Sequence, residues 1–401
     1  MQQLINPYTP NAGAQPKAIV GRRDELESFD LQLGRLRDGM TEQSMIITGL
    51  RGVGKTVLLS LFREKVLRAG CVAVEMEVSK HSNDDFRREI ATRMRTALLE
   101  LSPRARWSDH ARHAAAVLSS FSLKVDPSGS ITAGLGVSPL EGYADHGQIA
   151  LDLTDLFIAV GEAARSHGSV VVLLVDEIQF LARDQMEALI EALHKTVQRS
   201  LPITLVGAGL PQVGVLATDA KSYAERLFKF VPIGNLSHDD CDLALSLPAA
   251  DVDATWTHEA LDLAFTATDG YPYFIQELGY AVWPLAEGPA IAAGDVHDAI
   301  PGYLAKLDQS FYRVRLQRAT PLQTAYLRAM AELGPEPQRA QDVASLMGRT
   351  STQLGPIRAQ LIDLGLLYTP GHGLAAFTVP QFDQYMCRVI PVLEVPEKRQ
   401  R

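Results

Sequence analysis

The chain is poor in cysteine: Cys71, Cys241 and Cys387 are the three among 401 residues, and no two stand at CxxC spacing. That excludes a disulfide framework and a cysteine zinc site and fits a reducing compartment, so a cytoplasmic protein is expected. Long apolar runs are lacking too. No stretch approaches eighteen uninterrupted apolar residues, and the opening MQQLINPYTPNAGAQP has no basic region leading into an apolar core. Neither a membrane partner nor a secretory leader is expected. Repeats at solenoid periods are absent. Positive charge is in deficit, since 38 basic and 47 acidic residues leave a net −9, which taken whole speaks against a protein that coats nucleic acid. The deficit is uneven: residues 311–401 hold eleven basic and seven acidic side chains, +4, while residues 1–310 carry −13. What remains is ordinary globular material, 46% hydrophobic and 21% charged, long enough for two or three domains.

Residues 1–20, rich in Pro, Asn and Gly, read as an extended lead-in, and 22–40 as an amphipathic helix. Apolar strands are predicted at 44–48, 71–78, 170–175 and 203–207, alternating with helices at 55–69, 84–101, 147–166 and 184–198, the pattern of a parallel α/β sheet. Residues 103–146 interrupt it, and two short alternating runs, FSLKV and SITAGLGV joined by DPSG, predict a β-hairpin insertion at 121–138. From Ser237 to Phe311 strand signals vanish and apolar residues recur at helical spacing, as in Leu261, Ala264, Phe274, Leu278 and Ala281. The last section predicts three short helices, beginning at Pro321, Gln338 and Ser351, followed by LLY, a TPGHG turn and LAAFTV. Three helices and a hairpin form the winged helix-turn-helix pattern.

Two motifs carry chemistry. Gly49-Leu50-Arg51-Gly52-Val53-Gly54-Lys55-Thr56 fits GxxxxGK[ST] between a β-branched strand and a helix, the setting a phosphate-binding loop requires. Its glycines let backbone N–H groups turn toward a phosphate, and the helix N-terminus adds to the field. Lys55 then neutralises β- and γ-phosphate charge and the Thr56 hydroxyl ligates Mg²⁺, and Val57 after them is counted with residues 49 and 51–56 as nucleotide-binding. The second motif is the strand VVLLV that ends in Asp176-Glu177. A core strand has no structural use for two carboxylates at its end, whereas beside a phosphate loop Asp176 can hold Mg²⁺ through its water shell and Glu177 can polarise an attacking water. ATP or ADP with Mg²⁺ is the expected ligand.

These residues, with GRRDEL at 21–26, VGAGLPQV, AERLF, GYPYFIQ and the terminal helices and hairpin, resemble AAA+ ATPases of the initiator branch, the origin-recognition ATPases, and the neighbouring signal-transducing STAND and archaeal-type ATPases. The resemblance implies an AAA+ nucleotide-binding domain over 21–235, a P-loop three-layer α/β fold, with a helical lid at 236–310, a linker helix and winged-helix domain at 311–392 and a tail at 393–401. It implies that Val20, Gly21 and Arg22 line the adenine side. It implies that Arg226 acts as an arginine finger completing a neighbouring copy's site, and hence self-assembly. Two departures stand out: residues 205–209, LVGAG, offer no polar residue at the end of the fourth strand, with Thr204 buried too early, and 270–273, GYPY, offer no sensor arginine. Positioned cations are worth several kcal/mol in phosphoryl transfer, so secure binding and slow ATP hydrolysis are expected, the behaviour of a switch.

The winged helix suggests double-stranded DNA as a partner, with Arg349, Gln353, Arg358 and His372 as candidate contacts. Against that, the outward face of the third helix carries Thr352, Pro356, Ala359, Gln360 and Asp363, a poor set for reading bases. The alternative is a STAND-like signalling, defence or mobile-element assembly ATPase whose winged helix contacts protein.

Overall fold

A computed structural model describes residues 6–11, 13–79, 82–102 and 107–396. The chain divides into two compact units, one of residues 22–49 and 55–233, the other of residues 1–21, 50–54 and 234–401.

The first unit contains α1 (Arg23–Arg37), β1 (Ser44–Thr48), α2 (Lys55–Arg68), β2 (Val72–Glu77), α3 (Asn83–Leu101), α4 (Asp109–Leu123), α5 (Ile149–Ser166), β3 (Val171–Asp176), α6 (Arg183–Gln198), β4 (Ile203–Gly209), α7 (Val213–Ala220), α8 (Ala224–Leu227) and β5 (Phe228–Pro232). The five strands form one parallel sheet in the order β2-β3-β4-β1-β5. Every residue of β1 and β4 is buried, as continuous apolar strands covered on both faces require. Thr204 is indeed inside: it accepts a hydrogen bond from Gln32 at 3.0 Å and lies 3.3 Å from the Ser44 hydroxyl, so it ties α1 to the sheet.

The hairpin expected at 121–138 is not there. Phe121–Leu123 end α4, and no strand is found among residues 124–148. The Ser108 hydroxyl caps α4, its Ala-rich stretch favours helix, and Phe121 is fully buried. The DPSG turn is real but serves a loop: the Asp126 carboxylate accepts from the Ser128 and Ser130 hydroxyls at 2.6 and 3.0 Å and from the Ile131 N–H at 2.5 Å, which lowers its pKa. Beneath it, Arg87 of α3 and Asp152 of α5 form an ion pair at 2.5 Å, both almost fully buried. Arg87 also donates to the Phe121 carbonyl at 3.1 Å and lies 4.5 Å from that ring's centre, while the second Asp152 oxygen accepts from the His146 N–H at 2.8 Å. The α3–α4–α5 layer is therefore part of the main core and not an appendage.

The second unit continues with α9 (His238–Ala250), β6 (Thr255–Trp256), α10 (His258–Thr268), α11 (Pro272–Val282), β7 (Ala290–Ile291) and α12 (Ala293–Lys306). The strand-free reading of this stretch needs one correction, because β6 and β7 pair in parallel over two residues each, too short to show a period in sequence. A π-helical turn, Leu307–Tyr312, leads into α13 (Arg313–Leu316). Then follow α14 (Pro321–Glu332), β8 (Gln338–Arg339), α15 (Ala340–Leu346), α16 (Ser351–Asp363), β9 (Leu367–Tyr368), β10 (Leu374–Phe377) and α17 (Phe382–Val389). The hairpin is joined by β8 into an antiparallel sheet of order β8-β10-β9. The chain start is anchored here. Tyr8 is buried, donates to the Leu245 carbonyl at 2.6 Å and accepts from the Trp256 indole at 2.7 Å.

Candidate functional site

The strand β1 runs straight into the loop because Gly49 donates its N–H to the Gly209 carbonyl at 3.1 Å, which fixes where the chain leaves the sheet. At the other end of the loop Lys55 and Thr56 begin α2. Lys55 is buried and its ammonium donates to the Gly49 carbonyl at 2.9 Å. The exposed Thr56 hydroxyl donates to Asp176 Oδ2 at 2.6 Å, so the β3 carboxylate and the hydroxyl at the start of α2 meet. A hydroxyl and a carboxylate oxygen side by side are hard donors of the kind Mg²⁺ takes with phosphate oxygens and water, so these two residues fit the ion. The next residue, Glu177, has φ 52°, a left-handed backbone uncommon outside glycine, and such outliers gather at functional sites.

One residue at this site was not anticipated. Gln179, in the single turn Ile178–Phe180 after β3, donates its side-chain N–H to the Glu177 carboxylate and accepts from the Leu210 N–H at 3.1 Å. It lies so close to Gly209 that a Cβ there would come within 2.6 Å of Gln179 Oε1. Gly207 and Gly209 are small because this turn packs on them, and the polar group at the end of β4 comes from Gln179. The only trace of it in sequence was its place two residues after the acidic pair.

The middle of the loop, Leu50–Gly54, belongs to the second unit. Gly52 has φ +87°, and a Cβ on it would come within 3.1 Å of the Tyr271 hydroxyl and 3.2 Å of Tyr273 Cβ, so only glycine fits without strain. Val53 is buried, and Gly54 has φ +96°. Arg51 donates its backbone N–H to the Thr378 carbonyl at 3.3 Å. Val20 is half-buried, and Gly21 lies against Leu236 and Asp240 in the same unit. Arg22 precedes α1 and Val57 is half-buried on α2. Arg226 lies exposed on α8. Of the candidate DNA contacts, Arg349 donates to the Pro396 carbonyl at 2.7 Å, and Gln353 is the second half of a capping box with Thr350. Arg358 is half-buried and His372 exposed on the β9–β10 turn. No group of three metal-ligating side chains is found among the described residues.

A parallel sheet of this order, with a glycine loop after β1 and an acidic pair at the end of β3, defines a P-loop nucleotide-binding fold. Residues 18–206 match the sequence model of the AAA ATPase domain. Residues 309–386 match a domain of unknown function, DUF8462. No curated protein sequence matches the chain. Among solved structures, the Walker-type ATPase PABY2304 of Pyrococcus abyssi is similar at TM-score 0.59 and 16% identity, over 93% of this chain and 97% of that one. The ORC2 protein of Aeropyrum pernix is similar in its ADPNP-ADP form at TM-score 0.54 and 16% identity, over 95% and 97%, and in its ADP form at 0.52 and 14%, over 95% and 97%. At these identities the likeness shows the AAA+ fold. No helix among the described residues is long and apolar enough to cross a membrane.

Proposed function

We propose that this protein binds ATP, hydrolyses it slowly to ADP and phosphate, and works as a nucleotide-dependent switch. The observation that carries the reading is the meeting of Thr56 with Asp176 at 2.6 Å, with Lys55 beside them at the start of α2. In this reading the loop amides and Lys55 hold the phosphate chain, Thr56 and Asp176 hold Mg²⁺, and Glu177 orients and deprotonates the attacking water. The bound ion would neutralise phosphate charge. Gln179 keeps the Glu177 carboxylate aimed. Slow turnover is supported by the start of α11, where Tyr271 and Tyr273 offer no cation, and Val20, Gly21 and Arg22 remain the candidate adenine-side segment. Lys55→Ala should abolish binding of a fluorescent ATP analogue. Glu177→Gln should keep binding and lose hydrolysis. Equal nucleotide affinity in wild type and Lys55→Ala would refute the reading.

The C-terminal three helices and three-stranded sheet support a winged helix, and duplex DNA is its proposed partner, with Arg358 and His372 the most available contacts. Exposed Arg226 is the proposed finger toward a neighbouring copy. The engagement of Arg349 by Pro396 and of Gln353 in a cap favours a second reading, in which this domain meets protein, as in STAND-like assemblies. Retention on DNA that falls steeply between low and moderate salt and is lost in Arg358→Ala supports the first, and no retention at low salt with ATP present supports the second.

A further inference from the structure

Side-chain alternation sorts the two faces of β2 and β3. Val74 and Met76 of β2 and Leu173 and Val175 of β3 join the core that α3, α4, α5 and α6 cover. Successive residues of a strand point to opposite faces, so Glu75, Glu77 and Asp176 stand on the other one. Two side chains of α2 mark that face: Arg63 donates to Glu75 Oε2 at 2.7 Å, and the Thr56 hydroxyl to Asp176 Oδ2 at 2.6 Å. The strands pair in parallel with Glu77 directly opposite Asp176, and the Val78 N–H donates to the Asp176 carbonyl at 3.0 Å, so the register holds to their last residues. Glu77 is therefore the side-by-side neighbour of Asp176, and all of these residues lie within the first unit.

Arg63 answers the charge of Glu75. Glu77 is exposed and has no hydrogen bond or ion pair among the described residues. Like charges directly opposite each other on a sheet destabilise it, and Glu177 adds a third carboxylate at the same strand ends. A cation relieves that repulsion, and Thr56 with Asp176 already fits Mg²⁺. Among the described residues no three such side chains converge as direct ligands, which leaves Glu77 to act through water, and Mg²⁺ keeps several waters when it binds protein.

We infer that Glu77 is a positioning residue for the magnesium ion of the nucleotide site, its carboxylate accepting a hydrogen bond from an ion-bound water beside Asp176. The inference rests on the nucleotide reading above and adds to it the residue that makes the site prefer the metal–nucleotide complex over free nucleotide. With the ion bound, the extra carboxylate strengthens its hold. Without the ion, the same charge repels phosphate.

The test uses the full chain with Mn²⁺ in place of Mg²⁺, because free Mn²⁺ can be counted by electron paramagnetic resonance. Titration of Mn²⁺ into the complex with ADP gives the ion's affinity, and a fluorescent ADP analogue in EDTA gives nucleotide affinity without metal. Glu77→Gln should weaken Mn²⁺ about tenfold, the scale of an outer partner of a bound metal, and hold the metal-free analogue at least as tightly as wild type. Glu75→Gln, on the same face but paired with Arg63, should change Mn²⁺ affinity by less than about twofold. Unchanged Mn²⁺ affinity in Glu77→Gln with a wild-type melting profile overturns the inference. An equal loss in Glu75→Gln, or a matching loss of the metal-free analogue in Glu77→Gln, overturns it too. If Lys55→Ala binds the analogue as wild type does, the nucleotide reading itself has failed and Glu77 has no nucleotide-bound ion to position.

Discussion

Asp152→Asn removes one charge from an ion pair that is 3% exposed on its arginine and fully buried on its aspartate. The Arg87 guanidinium then keeps the Phe121 carbonyl and the face of the Phe121 ring, but no anion. Breaking a buried pair from one side typically costs about 3–5 kcal/mol, because the remaining charge stays desolvated. The ring and carbonyl that Arg87 retains place the expected cost at the lower end, about 3 kcal/mol, a large share of a domain stability of about 5–15 kcal/mol. Replacing both partners with leucine removes the charge altogether but leaves the His146 N–H without its acceptor and the Phe121 carbonyl without the Arg87 donor, together about 2 kcal/mol. The double variant should therefore be more stable than either Asp152→Asn or Asp152→Leu. Hydrogen exchange read peptide by peptide across α3, α4 and α5 measures this where it acts, without assuming that two units unfold as one. Loss of protection confined to these three helices in Asp152→Asn, restored in the double variant, is the expected result. Costs that simply add in the double variant, or protection unchanged in Asp152→Asn, would refute the reasoning and return α4 to the status of a loose insertion.

Gln179→Ala leaves the Glu177 carboxylate without its donor and the buried Leu210 N–H without its acceptor. Hydrolysis should fall about tenfold with nucleotide affinity unchanged, in single-turnover assays beside equilibrium binding, since a positioning residue acts on the chemical step. Tyr8→Phe strands the Leu245 carbonyl and the Trp256 indole N–H, which should cost about 1–3 kcal/mol, read as a lower melting temperature in the second unit's tryptophan signal. Burial pushes the Cys241 thiol up to about 12, so its reactive thiolate is scarce below that pH, and Cys71 is buried as well. A thiol reagent at pH 8 should modify one cysteine quickly, exposed Cys387, and all three after denaturation.

The sheet and the loop were legible because the chemistry writes itself into short, contiguous runs. An apolar strand has to stop where a phosphate or a metal begins, and SMIIT before GLRGVGKT and VVLLV before Asp176 both show that edge. Helices with a hydroxyl cap, such as α14 after Thr320 and α16 after Thr350, were equally plain. What could not be read needed a partner far away in the chain. The alternation in FSLKV is real, but Phe121 points to Arg87 and the helix continues through it. Tyr8 looked like part of a lead-in because the groups that anchor it, Leu245 and Trp256, lie more than two hundred residues on.

The same logic changes the meaning of an apparent absence. Residues 205–209 hold no polar side chain, and read along the chain that looks like a missing group at the end of β4. In space the group is present, because Gln179 reaches that strand end from the turn after β3, and Gly207 and Gly209 are small so that the turn fits. The expectation of slow turnover therefore cannot rest on β4. It rests on the start of α11, where Tyr271 and Tyr273 offer no cation.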